Sequence, residues 1–102
     1  MIKLLGLLLF CNSLPLLAAE VVTLDHRKAT NEIVVILTDN NLQSEMEKHF
    51  VARACRLQFG MNTIVSSVRE NRFHPVCRAE VIQFFLSKGY KPSMDYKVFS
   101  RN

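Results

Sequence analysis

Two histidines and two cysteines in the middle of this chain, His49, Cys55, His74 and Cys77, are the residues whose types could carry metal or thiol chemistry. A structural zinc site needs four such donors converging tetrahedrally, usually from close-spaced pairs. His74 and Cys77 have a usable spacing, but Pro75 stands between them. His49 and Cys55 would share a helix, and their spacing turns them about 120° apart on it, so they do not share a face. No metal site and no cofactor is therefore expected. A redox enzyme would use a Cys-x-x-Cys pair, which is absent, and if the two cysteines are joined no nucleophilic thiol remains. Ser44, Ser66, Ser67 and Ser87 lack the glycines of a nucleophile elbow. Glu45 and Glu47 suit a helix N-terminus, and Asp39-Asn40-Asn41 offers helix caps without the glycine-rich loop that admits a phosphate. No catalytic residue emerges, and a non-enzymatic protein is expected.

The compartment follows from the first nineteen residues. Met1–Ala19 carries one cation (Lys3), an apolar run from Leu4 to Phe10, a helix-breaking Pro15, and small Ala18 and Ala19 before Glu20. That order is an export signal with cleavage after Ala19. An uncleaved anchor would need roughly 20 predominantly apolar residues, and Asn12, Ser13 and Pro15 interrupt the run. A lipoprotein cysteine at Cys11 would follow a small residue, and Phe10 is bulky. Residues 1–19 are thus expected to be a cleaved signal peptide and residues 20–102 a single mature α/β domain, periplasmic or secreted.

Cleavage removes Lys3 and lowers the formal charge of +4 by one, a mild basicity that does not suit a dedicated nucleic-acid binder. It also removes Cys11, leaving Cys55 and Cys77 as an even pair in an oxidising compartment, which reads as a disulfide. A domain this small sits where a lone hydrophobic core is marginal and a covalent staple helps.

The elements that must position these residues follow in order. Glu20–Leu24 is short and β-branched and reads as a first strand at an edge. Ile33–Leu37 is the densest apolar run and does not alternate, which suits a central strand covered on both faces. After the Asp39 cap, Leu42, Met46, Phe50, Ala54 and Leu57 share a helical face that would end at Gly60. Met61–Val68 is read as a strand, although Ile64, Val65 and Val68 also fit a helical face. Arg69–His74 is read as a charged connector. Pro75 opens a second helix closed by Lys88-Gly89, and Asp95–Ser100 alternates as a final strand. The expected fold is α+β: one small domain, β-β-α-β-α-β in order, its sheet packed against two helices tied by the disulfide.

Lys48, Arg53, Arg56, Arg69, Arg72 and Arg78 flank both cysteines. They form either an electropositive patch for an acidic protein surface or anionic lipid, or a solvated face paired locally with Glu45, Glu47, Glu70 and Glu80; the solvated face is favoured. In size and layout the chain resembles the small exported accessory proteins of bacterial secretion and conjugative-plasmid transfer regions, some of them linked to recipient killing. The expected function is a small exported, non-enzymatic interaction or accessory protein acting by protein–protein contact; the alternative, implied by that resemblance, is a toxin-like or transfer-associated factor acting at the bacterial envelope. Nucleic acid and a stable transmembrane anchor are not expected.

Overall fold

The computed structural model of the chain describes residues 20–61 and 67–102, with the backbone alone for residues 56, 57 and 59–61. The expected signal segment and cleavage point lie outside the described residues, as does most of the expected Met61–Val68 strand. Six strands form one antiparallel sheet: β1 (Glu20–Arg27), β2 (Glu32–Leu37), β3 (Arg56–Met61), β4 (Arg69–Phe73), β5 (Lys91–Pro92) and β6 (Val98–Arg101). Their spatial order is β3-β4-β2-β1-β6-β5. Helix α1 (Asn40–Phe50) lies between β2 and β3 in sequence, and helix α2 (Arg78–Ser87) follows a 3-10 turn, Pro75–Cys77.

Both helices cover the same face of the sheet. Val22, Leu24, Ile33, Val35, Leu37, Phe73 and Phe99 from the strands pack with Leu42, Met46 and Phe50 of α1 and Val81, Phe84 and Phe85 of α2 in one buried core. Period-2 alternation selects those strand positions and a helical stripe selects the others. The helices run antiparallel: Glu45 pairs with Lys88 at 2.8 Å, and the His49 and Phe84 rings lie 5.2 Å apart. Asp39 caps α1 by accepting from the Asn41 and Leu42 amides at 2.8 and 3.1 Å. After α2, Gly89 adopts φ +89, the left-handed conformation expected of the residue past a helix end.

One buried polar contact fixes α1 on the sheet. Gln43 and Asn71 exchange amide hydrogen bonds: Gln43 Nε2 donates to Asn71 Oδ1 at 2.7 Å, and Asn71 Nδ2 donates to Gln43 Oε1 at 2.9 Å. Gln43 Nε2 also donates to Glu47 Oε2, and Asn71 Nδ2 reaches the Val35 carbonyl. Such a satisfied pair costs little while intact and a great deal when half of it is removed.

The structure corrects four sequence expectations. Helix α1 stops at Phe50, not Gly60, and the segment that looked like its last turns is edge strand β3. Leu57, Phe59 and Met61 alternate with Arg56, Gln58 and Gly60, a period of two that the longer helical pattern concealed. The Arg69–His74 stretch is mostly a strand rather than a connector, because β4 turns Asn71 and Phe73 to the core and Glu70 and Arg72 to water. Strand β1 is interior, between β2 and β6, and the closing strand begins at Val98 after a hairpin with β5.

Candidate functional site

Cys55 and Cys77 are joined, with Cα atoms 5.8 Å apart. Cys55 ends the turn after α1, and Cys77 caps the N-terminus of α2. The His74 amide donates to the Cys55 carbonyl at 2.7 Å, so the backbone holds the two segments together as well. A cavity of about 450 Å³ opens onto the bond, lined by Arg53, Ala54, His74, Val76 and Glu80 beside the cysteines. The His74 side chain is engaged as a cap: its Nδ1 accepts from the Val76 amide at 3.1 Å. His49 is wedged against the Phe50 and Phe84 rings, with Nε2 3.7 Å from Glu80 Oε2. With the sulfurs in a disulfide, this cluster offers no thiolate.

The sequence-defined basic residues do not converge. Arg53 donates to Glu80 and to the His49 carbonyl, tying the end of α1 to α2. Arg69 donates twice to Asn40 Oδ1, at 3.2 and 2.8 Å. Arg72 pairs with Val34 in register and therefore projects from the sheet face opposite the helices, where it binds Glu70 at 2.9 Å. Lys48 and Arg78 are exposed on the helical side. The side chain of Arg56 lies outside the described residues. Glu70 and Glu80 thus act as local counter-ions, while Glu45 pairs with Lys88 instead.

The uncovered face of the sheet divides into two halves. One half is a charged lattice in which Arg27 reaches Asp25 and Glu70, and Arg72 reaches Glu70 and Glu32. Val34 sits in register between Asp25 and Arg72 and is only 1% exposed, although it faces away from the helices. The other half is bare, with no ion pair among the described residues, and mixes apolar with polar side chains. Val98, Thr23 and Ile36 lie side by side across β6, β1 and β2, and Lys91, Ser100 and Val21 form the adjoining row across β5, β6 and β1. Val21 and Val98 are 53% and 42% exposed.

The hairpin joining β5 to β6 carries two more exposed large side chains. Met94 at its tip is fully exposed and Tyr96 is 40% exposed. The loop is nonetheless held closely. The Ser93 amide donates to the Val98 carbonyl at 2.7 Å, and the Tyr96 amide to the Ser93 carbonyl at 3.0 Å. The Ser93 hydroxyl donates to Asp95 at 2.7 Å and accepts from the Lys97 and Val98 amides. The Ser93 hydroxyl bond, with the Lys97 amide, holds the Asp95 carboxyl below its ordinary range. Met94 is therefore presented on an ordered support.

A third cluster closes the sheet near the start of β1. Arg101 donates to Glu20 at 2.8 and 2.6 Å and stacks 4.4 Å over the Tyr90 ring, while the Tyr90 hydroxyl donates to the same Glu20 oxygen at 3.2 Å. Burial, seconded by the Glu20 charge and opposed by Arg101, pushes the Tyr90 phenol up to about 12. A cavity of about 540 Å³ lies beside it, lined by Glu20, Val22, Asp39, Leu42 and Tyr90 among others. No pattern in the sequence marks this cluster, because Glu20 and Arg101 meet only through the β1–β6 pairing.

No helix among the described residues is long and apolar enough to cross a membrane. Compared with protein-family models, with curated protein sequences and with solved structures, the chain has no match.

Proposed function

We propose that this chain is a small exported, non-enzymatic interaction protein that binds a protein partner through the bare half of its sheet. The observation supporting this reading is the group Val21, Val98 and Ile36, in two adjoining rows of the bare sheet face, together with the fully exposed Met94 in the β5–β6 hairpin. Exposed apolar side chains cost nothing singly, but a contiguous group on a rigid support marks a contact surface. Lys91 stands at the end of the Val21–Ser100 row and makes no ion pair among the described residues. The matching partner therefore presents an apolar centre rimmed by carboxylates, since rim charges steer association and fix orientation.

The test is capture of partners from exported wild-type protein and from a Val21→Asp/Val98→Asp variant, with circular dichroism as the folding control. Both valines are about half exposed on a face no helix covers, so the variant should fold, yet it should lose the partner. Lys91→Glu should weaken capture more at low salt than at high salt. A folded double variant that retains its partner refutes this surface. Envelope damage on export, with no partner captured by either form, supports the toxin-like transfer reading instead. The exported protein should begin at Glu20 by intact mass; a full-length chain in carbonate-washed membranes refutes cleavage.

A further inference from the structure

The cysteine pair has an unassigned neighbour. Glu80 lies one helical turn beyond Cys77, and the donor atoms of Cys55, Cys77 and Glu80 all fall within 4.8 Å of one another. Spacing arguments built on the histidines miss this set, because its third member is a carboxylate brought in by the i, i+3 relation on α2. We propose that the dithiol form of the protein holds a zinc-like divalent cation between Cys55, Cys77 and Glu80, so that this pocket exchanges a disulfide for a metal ion.

Geometry and charge both carry this assignment. Sulfurs about 2.3 Å from a tetrahedral ion sit roughly 3.8 Å apart, and a carboxylate oxygen at about 2.1 Å sits slightly nearer. In the disulfide the sulfurs are bonded to each other and must part to that spread on reduction; the Glu80 carboxylate already stands within 4.8 Å of both, on a backbone tied by the His74 amide to Cys55 carbonyl bond. Arg53 and His49 both approach Oε2 of Glu80, leaving Oε1 free among the described residues to ligate. Arg53 then serves as the outer partner that orients the ligating carboxylate, the usual role of such groups around metals.

In the oxidised protein the Arg53 cation balances the Glu80 anion. Reduction by a dithiol transfers two electrons and two protons to the Cys55–Cys77 bond, giving two thiols and leaving the reductant as its own disulfide. Cation binding then displaces both protons: two thiolate charges are added together with the two positive charges of the ion, and local neutrality is kept. Three protein ligands leave a fourth position open, as in zinc sites that keep a water or an exchangeable ligand. The 450 Å³ cavity onto which the cysteines open, lined also by His74 and Val76, leaves room for such a ligand. His74 is kept out of the ligand set by its bond from the Val76 amide.

The probe is Co²⁺, which reports thiolate ligation through a near-ultraviolet charge-transfer band and tetrahedral geometry through its visible bands. Full-length mature protein is compared in oxidised form and after reduction and anaerobic removal of the reductant. The reduced form should bind one Co²⁺ with both signatures and release it to Zn²⁺, whereas the oxidised form should show neither. Cys77→Ser should reduce the charge-transfer intensity by about half. Glu80→Gln should keep both thiols but weaken Co²⁺ binding by roughly tenfold or more. Far-ultraviolet circular dichroism followed in the same titration should match the oxidised protein once metal is bound. Absence of one-to-one binding by the reduced form overturns the site. Unchanged affinity in Glu80→Gln, or binding to a chain that stays unfolded, does so equally.

Discussion

Replacing Asn71 by Ala should be among the most destabilising single changes in the domain, although the residue is polar and belongs to no candidate site. Asn71 is fully buried and Gln43 is 5% exposed. The substitution removes two amide–amide bonds, each contributing about 1 kcal/mol net. It also leaves Gln43 Oε1 without a partner, a further loss of about 1 kcal/mol or more. The total is about 3 kcal/mol, which for a domain of this size lowers the melting temperature by roughly 12 to 24 °C. Thermal and denaturant unfolding of Asn71→Ala, Gln43→Ala and the double variant measure it as a cycle. The double variant should be less damaging than the sum of the singles by about 1 to 3 kcal/mol, because both remove one interaction. Additivity within about 0.5 kcal/mol would refute the claim that this pair anchors α1 to β4.

Denatured, unreduced mature protein should contain no free thiol by Ellman titration, and Cys55→Ala should cost about 2 to 5 kcal/mol in chemical unfolding. The phenol of Tyr90, raised from 10.0 to about 12, should titrate late by ultraviolet difference absorbance. Because its folded value lies above its unfolded one, the associated stability is fully present below pH 10 and is lost between about 10 and 12. Tyr90→Phe should flatten that alkaline loss. Asp95→Ala should loosen the β5–β6 hairpin, measured as faster amide exchange at Lys97 and Val98, while the melting temperature moves little.

The parts of the fold that were legible in the sequence are those where one physical signal acted alone. Ile33–Leu37 has no competing pattern, and its strand lies at the centre of the sheet. Pro75, Asp39 and Gly89 mark helix ends through backbone geometry that no tertiary contact overrides. The segment after Phe50 failed because two periods coexist there: Ala54 and Leu57 prolong the helical stripe while Leu57, Phe59 and Met61 alternate. Ladder pairing with β4 decided in favour of strand. Strand β4 itself was concealed by its polar residues, since Asn71 is inward and polar only because Gln43 meets it. The disulfide was legible from the even cysteine pair and the expected oxidising compartment, whereas Glu80 beside it was not, because that proximity depends on where α2 starts. The bare valine pair could not be read before strand pairing was known, for Val21 and Val98 are remote in sequence and share a face, in adjoining rows, only through the β1–β6 register.

Site-specific photo-crosslinking tests the proposed contact surface most directly. Benzoylphenylalanine is placed in turn at position 98 on the bare sheet face and at positions 48 and 83, which are exposed on the helices. Irradiation in exporting cells should give one discrete adduct from position 98, reduced by the Lys91→Glu change, and none from positions 48 or 83. Adducts from the helix positions, with none from position 98, would contradict the account and move the contact to the opposite face.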